Sequence, residues 1–98
     1  MEFSGFDWDD GNRSKCRKHG VSAATIEALF AAGLTILPDD AHSQTERRFR
    51  AIGRTGQGRA IFIVFTLRER DGGMLIRPIS ARYMHKKEVE HYEKIYRP

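Results

Sequence analysis

Arg47-Arg48-Phe49-Arg50-Ala51-Ile52-Gly53-Arg54-Thr55 runs into the tight Gly56-Gln57-Gly58. After Arg59 comes the apolar run Ala60-Ile61-Phe62-Ile63-Val64-Phe65-Thr66-Leu67-Arg68, then Asp71-Gly72-Gly73. Met74-Leu75-Ile76-Arg77-Pro78-Ile79-Ser80-Ala81-Arg82 closes the stretch. Three strand-like runs joined by two glycine turns predict an antiparallel meander. Its middle strand, apolar on both faces, belongs at the centre. Pro78 cannot donate to a ladder, so it marks an edge strand or a bulge. Arginines fall at strand ends and turns, and a small sheet rimmed by guanidinium groups suits a polyanion such as RNA or DNA.

Working outward, Phe3, Phe6 and Trp8 alternate with small or acidic residues and predict a short extended segment. Asp9 or Asp10 caps a first helix that runs from Asn12 to His19 and stops at Gly20. Its polar sequence places it across the surface. Ser22 caps a second helix, in which Ile26, Leu29 and Phe30 share one face and which Gly33 ends. Leu34–Leu37 adds an extended piece, and Pro38 to Thr45 reads as a surface loop. Beyond the meander, Met84–Tyr96 forms the last helix, with Val89, Tyr92 and Tyr96 in one stripe facing the sheet. The fold class is α+β: two N-terminal helices, a small antiparallel sheet and a C-terminal helix.

A chain of 98 residues, 40% hydrophobic and 31% charged, holds one modest core, so residues 1–98 read as a single folded domain. No apolar run has the length to span a bilayer, and no basic-then-apolar leader opens the chain. Its one cysteine, Cys16, has no partner for an internal disulfide, which fits a reducing cytoplasm. The net charge of +4 is unevenly spread. Residues 1–44 hold four Lys/Arg against seven Asp/Glu, and residues 45–98 hold thirteen against six. Ten of those thirteen are arginine, the residue whose planar fork grips phosphate oxygens in pairs.

Several residues are candidates for chemistry, each with a plainer role beside it. Lys18 and His19 end the first helix, where cations satisfy the last carbonyls. The alternative is that they meet a phosphate or move a proton. Arg54 and Arg59 flank one turn, and Arg68 precedes the other. Arg68 and Arg82 are expected near the start of the last helix, as a rigidly mounted anion site or as solvated surface pairs with Glu46, Glu69 or Asp71. Arg47, Arg48 and Arg50 form a basic run suited to positioning a nucleic-acid backbone. His85 and Glu88 stand as N-cap and third residue of the last helix, which is either a capping box or an acid–base pair facing the sheet. The histidines are not spaced like a zinc site, and no phosphate loop or serine triad is present. No metal or other cofactor is expected.

Phe6-Asp7-Trp8-Asp9, Lys18-His19-Gly20-Val21-Ser22, Arg48-Phe49-Arg50-Ala51-Ile52-Gly53-Arg54-Thr55 and Ile79-Ser80-Ala81-Arg82, with Glu88 and Tyr92-Glu93 beyond, form an ordered set. Together they are similar to the BrnT family of bacterial toxins, over about Phe6 to Glu93. The chain departs from many relatives at Pro78, where they carry isoleucine, and at His85, where they carry threonine. The resemblance implies a RelE-like ribonuclease fold and an antitoxin partner of the BrnA type, with a ribbon-helix-helix-like part. Operator DNA would be met only through the antitoxin complex. It further implies RNA as substrate, cleaved without a metal by attack of the ribose 2′-hydroxyl on the adjacent phosphate, and so inhibition of translation. On this resemblance Arg68 and Arg82 would hold the phosphate. Lys18 and His19 would meet it from the first helix, and His85 or Glu88 would complete the acid–base chemistry. The competing expectation is a non-catalytic module whose arginines only hold nucleic acid or the antitoxin. The catalytic expectation requires the guanidinium groups to converge in one pocket and not to be each neutralised by carboxylates of the same chain.

Overall fold

The Asp71-Gly72 pair decides how the longest hairpin closes. Both residues take positive φ, 50° and 78°, the backbone of a two-residue turn whose twist matches its flanking strands. The structure is a computed structural model that describes residues 3–39 and 46–96, with the backbone only at Tyr96. Its elements are β1 (Gly5–Phe6), α1 (Asp10–Lys18), α2 (Ala23–Ala32), β2 (Thr35–Pro38), β3 (Arg48–Arg54), β4 (Ala60–Arg70), β5 (Gly73–Tyr83) and α3 (Lys86–Tyr96). The α+β layout agrees with the sequence, and the sheet is larger than the meander alone. Strand order is β1-β5-β4-β3-β2. The meander is β3-β4-β5, with β2 added antiparallel to β3 and β1 added parallel to β5. These two flanking strands are the extended pieces expected around Phe6 and at Leu34–Leu37.

Side chains alternate across the sheet. One face carries Ala51, Ile61, Ile63, Phe65, Ile76 and Ala81, which form the core with Ile26 and Leu29 of α2 and with Cys16 and Val21. Burying each isoleucine contributes roughly 1.5–3 kcal/mol. Phe30 meets both Phe6 and Phe65 edge-on, at 5.5 and 5.2 Å between ring centroids. Phe65 stacks on Phe49 at 5.3 Å, so one aromatic chain links β1, α2, β4 and β3. Gly53 is a glycine for want of room. A Cβ there would lie 3.2 Å from a Leu34 methyl and 3.3 Å from a Leu29 methyl.

Helix α1 is not a purely surface helix. Asn12 and Cys16, one turn apart, are buried. Asp9 accepts the Asn12 backbone N–H at 2.9 Å, and the Asn12 side chain accepts the Asp9 N–H at 2.8 Å, a reciprocal cap. The Asn12 amide then donates to the carbonyls of Asp7 and Pro78, at 3.0 and 2.8 Å. Pro78 sits beside a register shift, paired with Phe65, where the β4–β5 ladder slips after Val64. The bulge expected from its missing N–H is therefore present, and its carbonyl is taken up by α1.

At the other edge, Pro38 ends β2 and blunts a strand otherwise open to pairing. Asp39 donates its N–H to the Arg48 carbonyl. The rest of the loop expected to Thr45 lies outside the described residues. Helix α3 starts two residues later than the sequence predicts, with His85 before it. The Tyr92 hydroxyl donates to Thr35 Oγ1 at 2.8 Å, docking α3 beside β2. Tyr96, the last residue expected in that stripe, has its side chain outside the described residues. Among the described residues no helix is long and apolar enough to cross a membrane.

Candidate nucleic-acid interface

The strand period that buries one face sends Arg48, Arg50, Ile52 and Arg54 of β3 to the other, with Phe62 and Val64 of β4 beside them. Arg82 of β5 lies opposite Phe62, with its guanidinium carbon 5.1 Å from the centroid of that ring. Helix α3 borders this outer face at one end. An open groove of about 450 Å³ results between helix and sheet, with Arg50, Ile52 and Phe62 on one side and Lys87, His91 and Tyr92 on the other.

Arg82 and Glu88 form the best-defined polar contact of the interface. Both Nη atoms of Arg82 donate to the two carboxylate oxygens at 2.8 Å. Glu88 Oε1 also accepts the His85 backbone N–H at 2.9 Å. One half of the capping box expected from the His85 and Glu88 spacing is thus present, the bond from the His85 N–H to the Glu88 carboxylate. Hydrogen bonds from Arg82, and secondly from the His85 N–H, pull the Glu88 carboxyl down to about 2. It is ionised at neutral pH, with no proton to give and little appetite for one. The same pairing raises the Arg82 guanidinium further above its usual value. Glu88 therefore orients Arg82 and caps α3, and in this pairing it is a carboxylate with no proton to donate. His85 is exposed, not turned to the sheet as its helical spacing predicts, because it precedes the helix instead of lying on its stripe.

Arg68 and Arg82 do not converge as expected, whereas Arg50 and Arg82 share the outer face around Phe62. Arg68 faces Leu75, six positions along β4 from the Phe62–Arg82 pair. At the rise of a strand that is roughly 20 Å, too far for both to hold one phosphate. Arg68 lies 3.4 Å from Glu46. Arg54 pairs with Glu93 of α3 and donates to the Gly58 carbonyl across the turn at 2.9 Å. Arg59 lies over the Tyr83 ring at 3.8 Å, and Arg47 over Phe49 at 5.4 Å. Arg48, on the outer face opposite Thr66, also has a partner. Arg50 differs: among the described residues no carboxylate pairs with it. Its Nη2 donates to the Pro38 carbonyl at 3.2 Å, and its Nε is buried without a partner.

Lys18 and His19 are exposed at the end of α1, where the His19 and Gly20 N–H groups bond back to Cys16 and Arg17. Gly20 abuts the Tyr83 ring, so this corner reaches the end of β5 one residue beyond Arg82. The carboxylates of Asp7 and Asp9 hold Arg77, at 3.5 and 2.7 Å, which ties the N-terminal segment to β5. Sequence reading missed this clasp, since its partners stand 68 residues apart. It also missed the groove around Arg50. Among the described residues no three His, Cys, Asp or Glu side chains gather as a metal site.

A sheet with one face sealed by helices and an arginine-bearing face left open defines a protein that presents cations from a rigid frame. The family model for "Ribonuclease toxin, BrnT, of type II toxin-antitoxin system" matches residues 8–88, and the chain belongs to that family. No curated protein matches it. The matched span runs from Trp8 to Glu88, so it takes in α1, α2, the meander and the Arg82–Glu88 pair.

Proposed function

We infer that the chain is a cytoplasmic endoribonuclease that inhibits translation, breaking RNA without a metal by attack of a ribose 2′-hydroxyl on the adjacent phosphate. The new bond is 2′-O to phosphorus, and the 5′-oxygen leaves with a proton, giving a 2′,3′-cyclic phosphate and a 5′-hydroxyl. Membership of a ribonuclease toxin family is the observation that carries this. The outer face supports it with cations from the chain itself, which would offset charge on the five-coordinate phosphorus.

Arg82 is the phosphate-holding group, aimed by Glu88 and the Phe62 ring. Arg50, on the same face, adds positive charge beside that site without holding the phosphate. Exposed His85, at the start of α3, is the proton-transfer candidate nearest to Arg82 in the chain. Lys18 and His19 approach from the α1 corner. Arg47, Arg48, Arg54 and Arg59 position the RNA backbone, and Arg68 contacts it away from the scissile bond.

Type II systems pair a toxin with an antitoxin. The proposed antitoxin is of the BrnA type; it covers the outer face, and the operator is met only through the complex. Digestion of RNA by the purified chain with EDTA present tests the chemistry. Cleavage that survives chelation and leaves a cyclic phosphate end supports it, and activity lost on chelation removes it. Growth arrest on expression, relieved by the neighbouring gene's product, tests the pairing.

A further inference from the structure

We propose that the groove between α3 and the outer sheet face is a base-reading subsite that takes guanine from the RNA. This rests on the ribonuclease function above and gives it a sequence preference. The cavity of about 450 Å³ falls within the range of small-ligand sites, ~300–1,000 Å³, and exceeds the need of one flat base. Leu37, Ile52, Phe62 and Tyr92 give it apolar and aromatic walls. Such walls accept the face of any base, because every base has a π-face.

Arg50 supplies the selectivity. It lines the same groove, held by the Pro38 carbonyl and, among the described residues, met by no carboxylate. Arg54, Arg68 and Arg82 each carry a glutamate instead. A planar fork that no described carboxylate neutralises, set beside apolar walls, seeks two acceptors on one flat edge. Guanine offers that pair in O6 and N7 on a two-ring base that fills the walls, adenine puts a donor where O6 would be, uracil has no adjacent acceptor pair, and cytosine offers N3 and O2 only on a smaller ring. A phosphate also matches the fork, but the walls beside Arg50 bury a ring better than they bury a charged, hydrated group. Phe62 links the groove to the Arg82 site, since its ring lines one and lies beneath the guanidinium of the other. A base held here therefore sits next to the phosphate that Arg82 would hold.

Titrating the ¹⁵N-labelled protein with GMP, AMP, CMP and UMP tests this through amide shifts at Ile52, Tyr92 and Ile95. GMP is expected to bind about tenfold more tightly than the other three, as one two-point base contact allows. Arg50→Lys, which loses the planar fork, is expected to bring GMP to within about threefold of AMP. The four-nucleotide comparison on the unaltered chain decides the matter even if that variant misfolds. Equal affinities, shifts outside the groove, or the same shifts from inorganic phosphate alone would overturn the subsite. So would silence toward nucleotides while the antitoxin perturbs those amides, which would make the groove a protein site. RNA cut equally at every base would remove the base preference and leave the ribonuclease standing. GMP selectivity in a chain that cuts no RNA would remove the ribonuclease and leave the subsite.

Discussion

Glu88 holds Arg82 through two contacts of 2.8 Å, and the same carboxylate closes the first turn of α3. One side chain thereby sets both the aim of a guanidinium on β5 and the seat of the helix beside it.

The pH dependence of stability follows from that pairing. The Glu88 carboxyl falls from its usual 4.5 to about 2 on folding. A depressed pKa contributes stability in full above the unfolded value and loses it as pH falls through the folded one. Thermal melts of the protein should therefore drop between about pH 4.5 and pH 2, and more steeply than those of Glu88→Gln. Parallel curves for the two would show that the pair does not act on folding.

Arg82 and Arg68 should separate in activity. Removing a group that stabilises the phosphorane costs roughly 100-fold in turnover, so Arg82→Ala is expected near that loss. Arg82→Lys should recover only part of it, because lysine cannot make the two-point contact. Arg68→Ala, beyond reach of the same phosphate, should stay within about threefold of the parent chain. Equal losses at the two positions in an RNA digestion assay would contradict the placement of the site.

Asn12 carries more than its helix cap. Its buried amide serves two carbonyls, Asp7 and Pro78, and its side-chain oxygen serves Asp9. Asn12→Ala leaves those groups without their partner, at a cost of about 1–3 kcal/mol. Urea denaturation reads this directly. A loss under half a kilocalorie would mean that water replaces the amide at no cost.

Phe65 is the centre of the aromatic chain, touched by Phe30 and Phe49. Phe65→Ala should remove about 3–5 kcal/mol. In a chain of 98 residues that is a large share of the total, so circular dichroism should find the variant largely unfolded at 37 °C.

The meander, both N-terminal helices and the C-terminal helix were legible because each rests on local signals. Asp71-Gly72 needs only its own backbone, Ser22 and Gly33 bracket α2, and the β4 run is too apolar for any place but the centre. Pro78 marked its bulge by lacking a donor. What stayed hidden depends on contacts between distant segments. The parallel seat of β1, the inward turn of Asn12 and the Arg77 clasp each join the first dozen residues to β5. Of the candidate site, the contact between Arg82 and Glu88 was legible. Arg82 and Glu88 meet as their places at the end of β5 and the start of α3 allow. Arg68 was misplaced because strand-end arginines look alike in sequence while antiparallel strands send them to opposite ends of the sheet.

The pairing of Gly5 and Phe6 with Leu75 and Ile76 also has a temporal side. A polypeptide is made from its amino end, and here the opening segment has nowhere to lie until the last strand exists. The five-stranded sheet therefore cannot be completed until the chain has been made as far as β5. A nascent chain stopped short of Leu75 leaves Gly5 and Phe6 without the strand they pair with.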